Sequence, residues 1–379
     1  MSMLVTRLSS ALRGDRSIWA VAAVLALFSL LGVYSSTGSL AYLRQGGDTE
    51  AYLFRHSVIL VGGFALAYVV HMMNHNVFSR FAPYMLMVAI PLLLYTLVFG
   101  VNINEARRWI EVPVIGVTFQ TSDFAKLALI LYMARVIAAK QDKINDLQAA
   151  FVPIIVPVAI VCGLIAPADL STAMLLFFTC VGMMFVGRTP LTYIGALMLA
   201  GIVVFLLLIA IGNVFPEYVR VETWVSRIRD FTSAEGAGYQ VEQGKIAIAN
   251  GEWLGLGPGN SIQRNFLPSP YSDFIYSIIC EEYGIIGGFL LVVMYLVLFF
   301  RVTRLVTKSP KAFGAMLALG LTISMTLQAY INIAVAVNLV PVTGVTLPMV
   351  SMGGTSTMFT CIAFGIILSV SRFVESLSQ

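Results

Sequence analysis

The chain has 379 residues, of which 59% are hydrophobic and 11% charged. A soluble globular chain carries about 25% charged residues, so this composition excludes a soluble fold and predicts a polytopic, all-α membrane protein. The net charge of +4 is then no sign of nucleic-acid binding, because what matters in such a chain is how basic residues divide between loops.

Taken in order, a basic leader (Arg7, Arg13, Arg16) precedes an apolar run that reads as an uncleaved first span. On the ruler of about 20 helical residues per bilayer crossing, ten candidate spans follow, at about 17–36, 56–74, 81–100, 121–139, 149–167, 170–187, 190–213, 273–300, 312–333 and 353–372. With the N-terminus inside, the cytoplasmic basic set is Arg7, Arg13, Arg16, Arg80, Arg135, Lys140, Lys143, Arg188, Arg301, Arg304, Lys308, Lys311 and Arg372, against Arg44, Arg55, Arg107 and Arg108 in short outer loops. That bias predicts both termini in the cytoplasm and a long outer loop between spans seven and eight. No repeat or low-complexity linker divides the chain, so residues 1–379 read as one membrane domain with the loop of about 213–272 inserted in it.

Prolines interrupt several spans: Pro153 and Pro157 in the fifth, Pro167 at its join to the sixth, Pro341 and Pro348 before the tenth. Each removes a backbone donor, and in a bilayer the freed carbonyls need protein or cavity water, so broken helices predict a groove. Cys162, Cys180, Cys280 and Cys361 are widely spaced in apolar segments and read as small buried hydrophobes, while His56, His71 and His75 offer no metal-ligand spacing.

The chemistry-bearing residues crowd toward the outer side. In ARRWI, Arg107 and Arg108 either clamp phosphate oxygens or snorkel to headgroups beside Trp109. Asp123 and Lys126, three apart on a helix, either neutralise each other or enter a site. Asp169 in IAPADLSTAM suits a helix cap, with Ser171 and Thr172 beside it. The long loop holds two helical patches. In VETWVSRIRDF, Val221, Trp224, Val225 and Ile228 form an apolar stripe suited to lying flat on the membrane. The second, GYQVEQGKIAIANGEWLGLGPG, supplies Tyr239, Gln240, Gln243 and Lys245 before a glycine-rich turn that does not match a dinucleotide loop. Asp273 stands where this loop enters an apolar helix, followed by Glu281 and Glu282. It is either the N-cap of the eighth span or a general base whose proton affinity is raised by partial desolvation. Carboxylates at membrane depth are functional-site candidates because dehydration is costly.

These stretches carry a resemblance. LPSPYSDFIYSIICEEYG, GLGPGNSIQRNF, ARRWI, FAKLALI and NLVPVTGVTLPMVSMGGTS together resemble the shape, elongation, division and sporulation family to which RodA and FtsW belong. The resemblance covers nearly the whole chain, and GNSIQRNFLP with its long outer loop inclines it to the FtsW branch. It implies a peptidoglycan glycosyltransferase that polymerises lipid II at the outer face of the bacterial inner membrane. It implies Asp273 as the base that deprotonates the acceptor hydroxyl, and Arg108 with Lys126, Arg107, Gln263 and Lys245 as substrate-binding residues. It gives Glu281, Glu282, Asp169 and Ser351 supporting roles. No cofactor is required on this reading, although the paired glutamates are compatible with a divalent cation, Mg or Mn. A class B penicillin-binding transpeptidase and other division proteins are the implied partners.

The sequence departs from the family pattern at Gln120 to Asp123 and at Ala168 to Ser171, where the acids stay and the backbone constraints change. Alternatives are an elongation polymerase of the RodA type with the same chemistry, a non-catalytic division scaffold, and a flippase for lipid-linked precursors. A flippase needs charges along a path through the membrane, yet of 19 acidic residues only Asp15, Asp142, Asp146 and Glu375 fall inside.

Overall fold

A computed structural model describes residues 13–37, 49–103, 106–112, 117–214, 221–232 and 238–378. Arg7 and Arg44, used above for orientation, lie outside these residues. The helices are α1 Arg16–Ser36, α2 Thr49–Met72, α3 His75–Phe99, α4 Thr121–Ala139, α5 Val152–Ile165, α6 Leu170–Val186 and α7 Leu191–Val214. Then follow α8 Val221–Thr232, α9 Tyr239–Gly251, α10 Ile275–Lys308, α11 Ala312–Ala336 and α12 Thr355–Ser378.

Each of the ten expected spans meets a helix, and among the described residues eight helices are long and apolar enough to cross a membrane. The chain is thus a polytopic helical membrane protein. Two of the expected spans fall short of that measure for physical reasons. α6 is a shorter apolar helix, and α4 carries Asp123, Lys126 and Arg135 within 19 residues.

Local chemistry sets the boundaries. Asp15 caps α1 by accepting from the Ser17 N–H at 2.8 Å, and its other oxygen pairs with Arg301 of α10 at 2.6 Å. The Gly14 N–H donates to Glu375 at 2.8 Å and the Asp15 N–H to Ser371 at 2.8 Å, so the start of α1, the far end of α10 and the end of α12 meet at one end of the bundle. Pro153 sits in the first turn of α5, where its missing N–H costs nothing, and a π-helical turn, Leu147–Phe151, leads into it. Pro83 and Pro91 lie inside α3. Pro341 and Pro348 belong to a non-helical crossing between α11 and α12, backbone of the kind a membrane protein keeps only where it is buried in protein or lines a cavity.

One expectation is corrected. The connection before α4, expected as an outer loop, is a three-stranded antiparallel sheet: β1 Val101–Ile103, β2 Ala106–Val112 and β3 Val117–Gln120. β-Branched and aromatic residues at Trp109, Ile110, Val112, Val117, Thr118 and Phe119 favour the pleated state, and pairing runs Trp109 with Gln120 and Ile110 with Phe119. β3 passes directly into α4 at Thr121, which fixes the height of β2 over the first turns of α4.

α10 is a long helix interrupted at Gly284 (φ 69°, ψ −175°). Backbone meets backbone there: a Cβ on Gly284 would run into the Trp253 carbonyl, one on Gly255 into the Glu282 carbonyl, and one on Gly251 into the Cys280 carbonyl. Glycine is the residue that permits both the positive φ and the approach, and the Leu256 and Gly257 N–H groups donate to the Glu281 and Glu282 carbonyls across this seam.

Candidate functional site

The ends of α4, α6, α10 and α11 nearest β2 enclose a cavity of about 690 Å³, roofed by β2 and the long loop. Its wall joins residues far apart in sequence: Arg108 from β2, Asp123 and Lys126 from α4, Asp169 and Thr172 from the start of α6, Arg227 from α8, Asp273 before α10, and Gln328 from α11. The volume lies within the range of small-molecule sites, about 300–1,000 Å³.

Arg108 faces inward. Its Nη1 lies 3.1 Å from Asp169 Oδ2 and its Nε donates to the Ala168 carbonyl at 3.0 Å, so the snorkelling alternative is not realised. Asp169 does cap α6, accepting from the Thr172 N–H at 3.1 Å and its hydroxyl at 2.8 Å, while the same carboxylate aligns Arg108. Lys126 Nζ lies 3.0 Å from Asp123 Oδ1 and donates to Gln328 Oε1 at 3.2 Å. Asp123 Oδ2 is buried without a hydrogen-bond partner. Both cations keep some exposure toward the cavity, 18% for each side chain, so a ligand can reach them.

Asp273 is not the cap of α10. The helix begins at Ile275 after Phe274, which makes no side-chain cap bond. The loop bearing Asp273 is clamped by its backbone instead. Asn332 Nδ2 donates to the Asp273 carbonyl at 2.8 Å and to Val345 O at 2.7 Å. The Ser351 hydroxyl donates to Ser272 O at 2.6 Å, and the Met352 N–H donates to Tyr271 O at 3.0 Å. The carboxylate is thereby left to project into the cavity. A Cβ on Gly344 would stand 3.7 Å from Arg227 Nη2 and 3.9 Å from Asp273 Oδ2, so the bare, positive-φ glycine keeps open the space these groups face. Burial pushes the Asp273 carboxyl above the usual carboxylate range. Its own backbone N–H, the Ser272 hydroxyl and the charges of Arg227 and Arg108 pull the other way.

Glu281 and Glu282 do not join this cavity. Both are buried and taken up by donors. Glu281 accepts from Asn250 Nδ2 at 3.3 Å, the Gln263 N–H at 3.2 Å and the Ser261 hydroxyl. Glu282 accepts from the Ser261 N–H at 3.3 Å and the Ser35 hydroxyl, and Arg264 adds a favourable charge. These pairings staple the loop after α9 to α10. A divalent cation needs oxygen ligands, whereas the atoms around these glutamates are largely hydrogen-bond donors. Among the described residues no three His, Cys, Asp or Glu side chains converge on one point. Gln263 is buried in the same staple. Lys245 is exposed on α9, away from the cavity, because Val241, Gly244, Ala247 and Gly251 form the buried face of that helix. The side chain of Arg107 lies outside the described residues.

Residues 15–376 match the family model for the FtsW, RodA and SpoVE cell cycle proteins. The chain belongs to this family. Among similar curated proteins are the probable peptidoglycan glycosyltransferase FtsW of Nitrosococcus halophilus, 32% identical over 93% of this chain and 91% of that protein, and that of Bacillus subtilis, 32% identical over 95% and 91%. Stage V sporulation protein E of Bacillus subtilis is 30% identical over 92% and 94%. Two solved structures share the fold. A chain of a peptidoglycan synthase complex that coordinates polymerization and crosslinking superposes with a TM-score of 0.72, at 23% identity over 95% of this chain and 98% of that one. The rod shape determining protein RodA of Thermus thermophilus gives 0.66, at 24% identity over 95% and 97%.

Within this FtsW/RodA/SpoVE fold, sequence reasoning missed Arg227, Gln328 and Asn332. Arg227 lies off the apolar stripe of α8, of which Trp224 stacks on Phe205 of α7, 6.3 Å between centroids, while Val225 and Ile228 stay exposed. The signal was a cation opposite an apolar stripe, next to the acid it faces in space but not in sequence. Gln328 and Asn332, one turn apart in the otherwise apolar α11, are amides whose burial demands partners.

Proposed function

We propose that the chain polymerises lipid II into glycan strands at the outer face of the bacterial cytoplasmic membrane, during cell division, as an inverting glycosyltransferase. The observation that carries this reading is one cavity shared by a carboxylate of raised proton affinity, Asp273, and two cations, Arg108 and Lys126. Asp273 takes the proton from the 4-hydroxyl of the acceptor sugar. The freed oxygen attacks the anomeric carbon of the growing strand from the face opposite the leaving group. The bond from that carbon to the diphosphate oxygen breaks, and its electron pair departs with undecaprenyl diphosphate. Arg108, aligned by Asp169, and Lys126 receive the developing negative charge. Each step is carried by a side chain of this chain.

The topology that serves this chemistry has ten spans, both termini in the cytoplasm and the loop of about 213–272 outside. A lipid-anchored substrate then reaches the cavity with its tail in the bilayer and its head in water. Ser351 and Asn332 act as positioning residues, holding the backbone on either side of the base. The class B transpeptidase and other division proteins are the partners this reading implies, and the relatives named FtsW support the division branch.

Reconstitution of the chain with its cognate transpeptidase and labelled lipid II tests the proposal. Glycan polymer is the expected product. Translocation of lipid II between leaflets without polymer would overturn it in favour of a flippase.

A further inference from the structure

Beside the main cavity lies a second one of about 190 Å³, and the two share Arg227, Gln240 and Val342 in their walls. The annex runs between α8, the start of α9 and the turn after α11. Its lining combines two aromatic rings, Phe231 and Tyr239, with the polar side chains Arg227, Asp230, Gln240 and Asn338. Phe231 and Tyr239 are 37% and 55% exposed, so both rings are open to a ligand in the annex. Asn338 holds a left-handed backbone (φ 58°) where α11 stops, so the turn presents an amide side chain to the annex where a helix would have continued.

Aromatic faces offer a flat apolar platform, and planar amides and carboxylates offer paired donors and acceptors at its rim. A pyranose has the complementary surface, with C–H groups on its faces and hydroxyls around its edge. Among the described residues the annex holds a single cation, Arg227, beside Asp230, whereas Arg108 and Lys126 line the main cavity, where a diphosphate finds its positive charge.

We infer that this annex is a sugar subsite that holds a pyranose of the growing glycan strand, beyond the ring that carries the reacting carbon. This rests on the polymerase reading above. The chemistry decides which partner it serves. The acceptor is a disaccharide whose second sugar is tied through its diphosphate to the bilayer, so it runs toward the membrane. Only the strand whose diphosphate end reacts has further sugars running away from the lipid, and these pass Asp273 on the side of Arg227, where the two cavities join. A strand held there stays on the enzyme between additions, so the annex sets how many sugars are added before release.

The test compares glycan length at equal lipid II consumption for the full chain with its transpeptidase and for Tyr239→Ala and Tyr239→Phe. Tyr239→Ala is expected to shift the product toward short strands, and Tyr239→Phe, which keeps the ring, to restore length. Unchanged length in Tyr239→Ala, or equal shortening in both variants, would overturn the subsite. A second measurement needs no catalysis: saturation-transfer NMR of chitotetraose on the chain in nanodiscs. Binding about tenfold weaker in Tyr239→Ala is expected from loss of one aromatic contact, and equal binding by both proteins would overturn the subsite. A wild type that binds chitotetraose yet makes no polymer would leave the sugar site standing and remove the polymerase.

Discussion

Asp273 and the pair Glu281–Glu282 stand within three turns of chain from one another, yet their surroundings are opposite. Several donors converge on the glutamates: hydroxyls of Ser35 and Ser261, an amide of Asn250, and backbone N–H groups of Ser261 and Gln263, with Glu282 Oε2 alone left buried without a hydrogen-bond partner. The loop of Asp273 is held through its backbone, by Asn332 and by the neighbouring clamp of Ser351, and the Asp273 carboxylate, which meets its own N–H and the Ser272 hydroxyl, faces the cavity. A carboxylate engaged by several fixed donors and shut away from any cavity stabilises structure and is a poor base. One that lines a cavity can meet a ligand's proton. Buried charge thus reports function only once its hydrogen-bond partners have been counted.

Four outcomes would break or sharpen this contrast. The largest belongs to Asp273→Asn, expected to lower polymer formation from lipid II by about 10²–10⁴-fold, the span of general-base catalysis, with an unchanged melting temperature. Robust polymer from that variant would end the assignment. Next, Arg108→Ala is expected to lower kcat/KM for lipid II by about 10–100-fold, the worth of a lost charged hydrogen bond in the site. Unchanged kinetics would leave the Asp169 pair a purely structural contact. Glu282→Ala should act on the other side of the comparison, lowering stability by about 3 kcal/mol because the Ser35 and Ser261 donors lose their acceptor. Thermal unfolding in detergent reads this, and a stable but inactive variant would move Glu282 into the site. The smallest effect concerns pH. If Asp273 is the base proposed above, it works when ionised, and activity is expected to fall as pH drops through its raised pKa. Arg227→Ala removes a charge that favours the carboxylate and should move the acid limb of the kcat/KM profile to higher pH. A limb that stays in place would show that Arg227 does not act on Asp273.

Much of this was legible in the sequence, for identifiable reasons. Runs of apolar residues longer than a bilayer is thick are visible without knowing any contact, which is why each expected span met a helix. The sheet of β1 to β3 was not seen, because its strands are short and carry Arg107, Arg108 and Glu111 within the pattern. Arg108, Lys126, Asp169 and Asp273 could be named from motifs, but that they share one cavity follows from the packing of α4, α6, α10 and α11, which no local pattern encodes. Lys245 shows the limit most simply. Its neighbour Gly244 is buried against Phe274 and Ser277, so one residue of helical rotation, about 100°, turns the lysine away from the site. Until the buried face of α9 is known, that distinction cannot be drawn.

The break at Gly284 divides α10 into a long rod and a short N-terminal arm, and the two are steered by different things. The rod is tied at its far end to Asp15 and is subject to whatever tilt the bilayer thickness imposes. The arm, running back from Tyr283 toward Asp273, is braced by the glycine seam against the loop after α9. The position of the Asp273 carboxylate is therefore set by that braced loop, and a membrane that thickens or thins can rock the rod without displacing it.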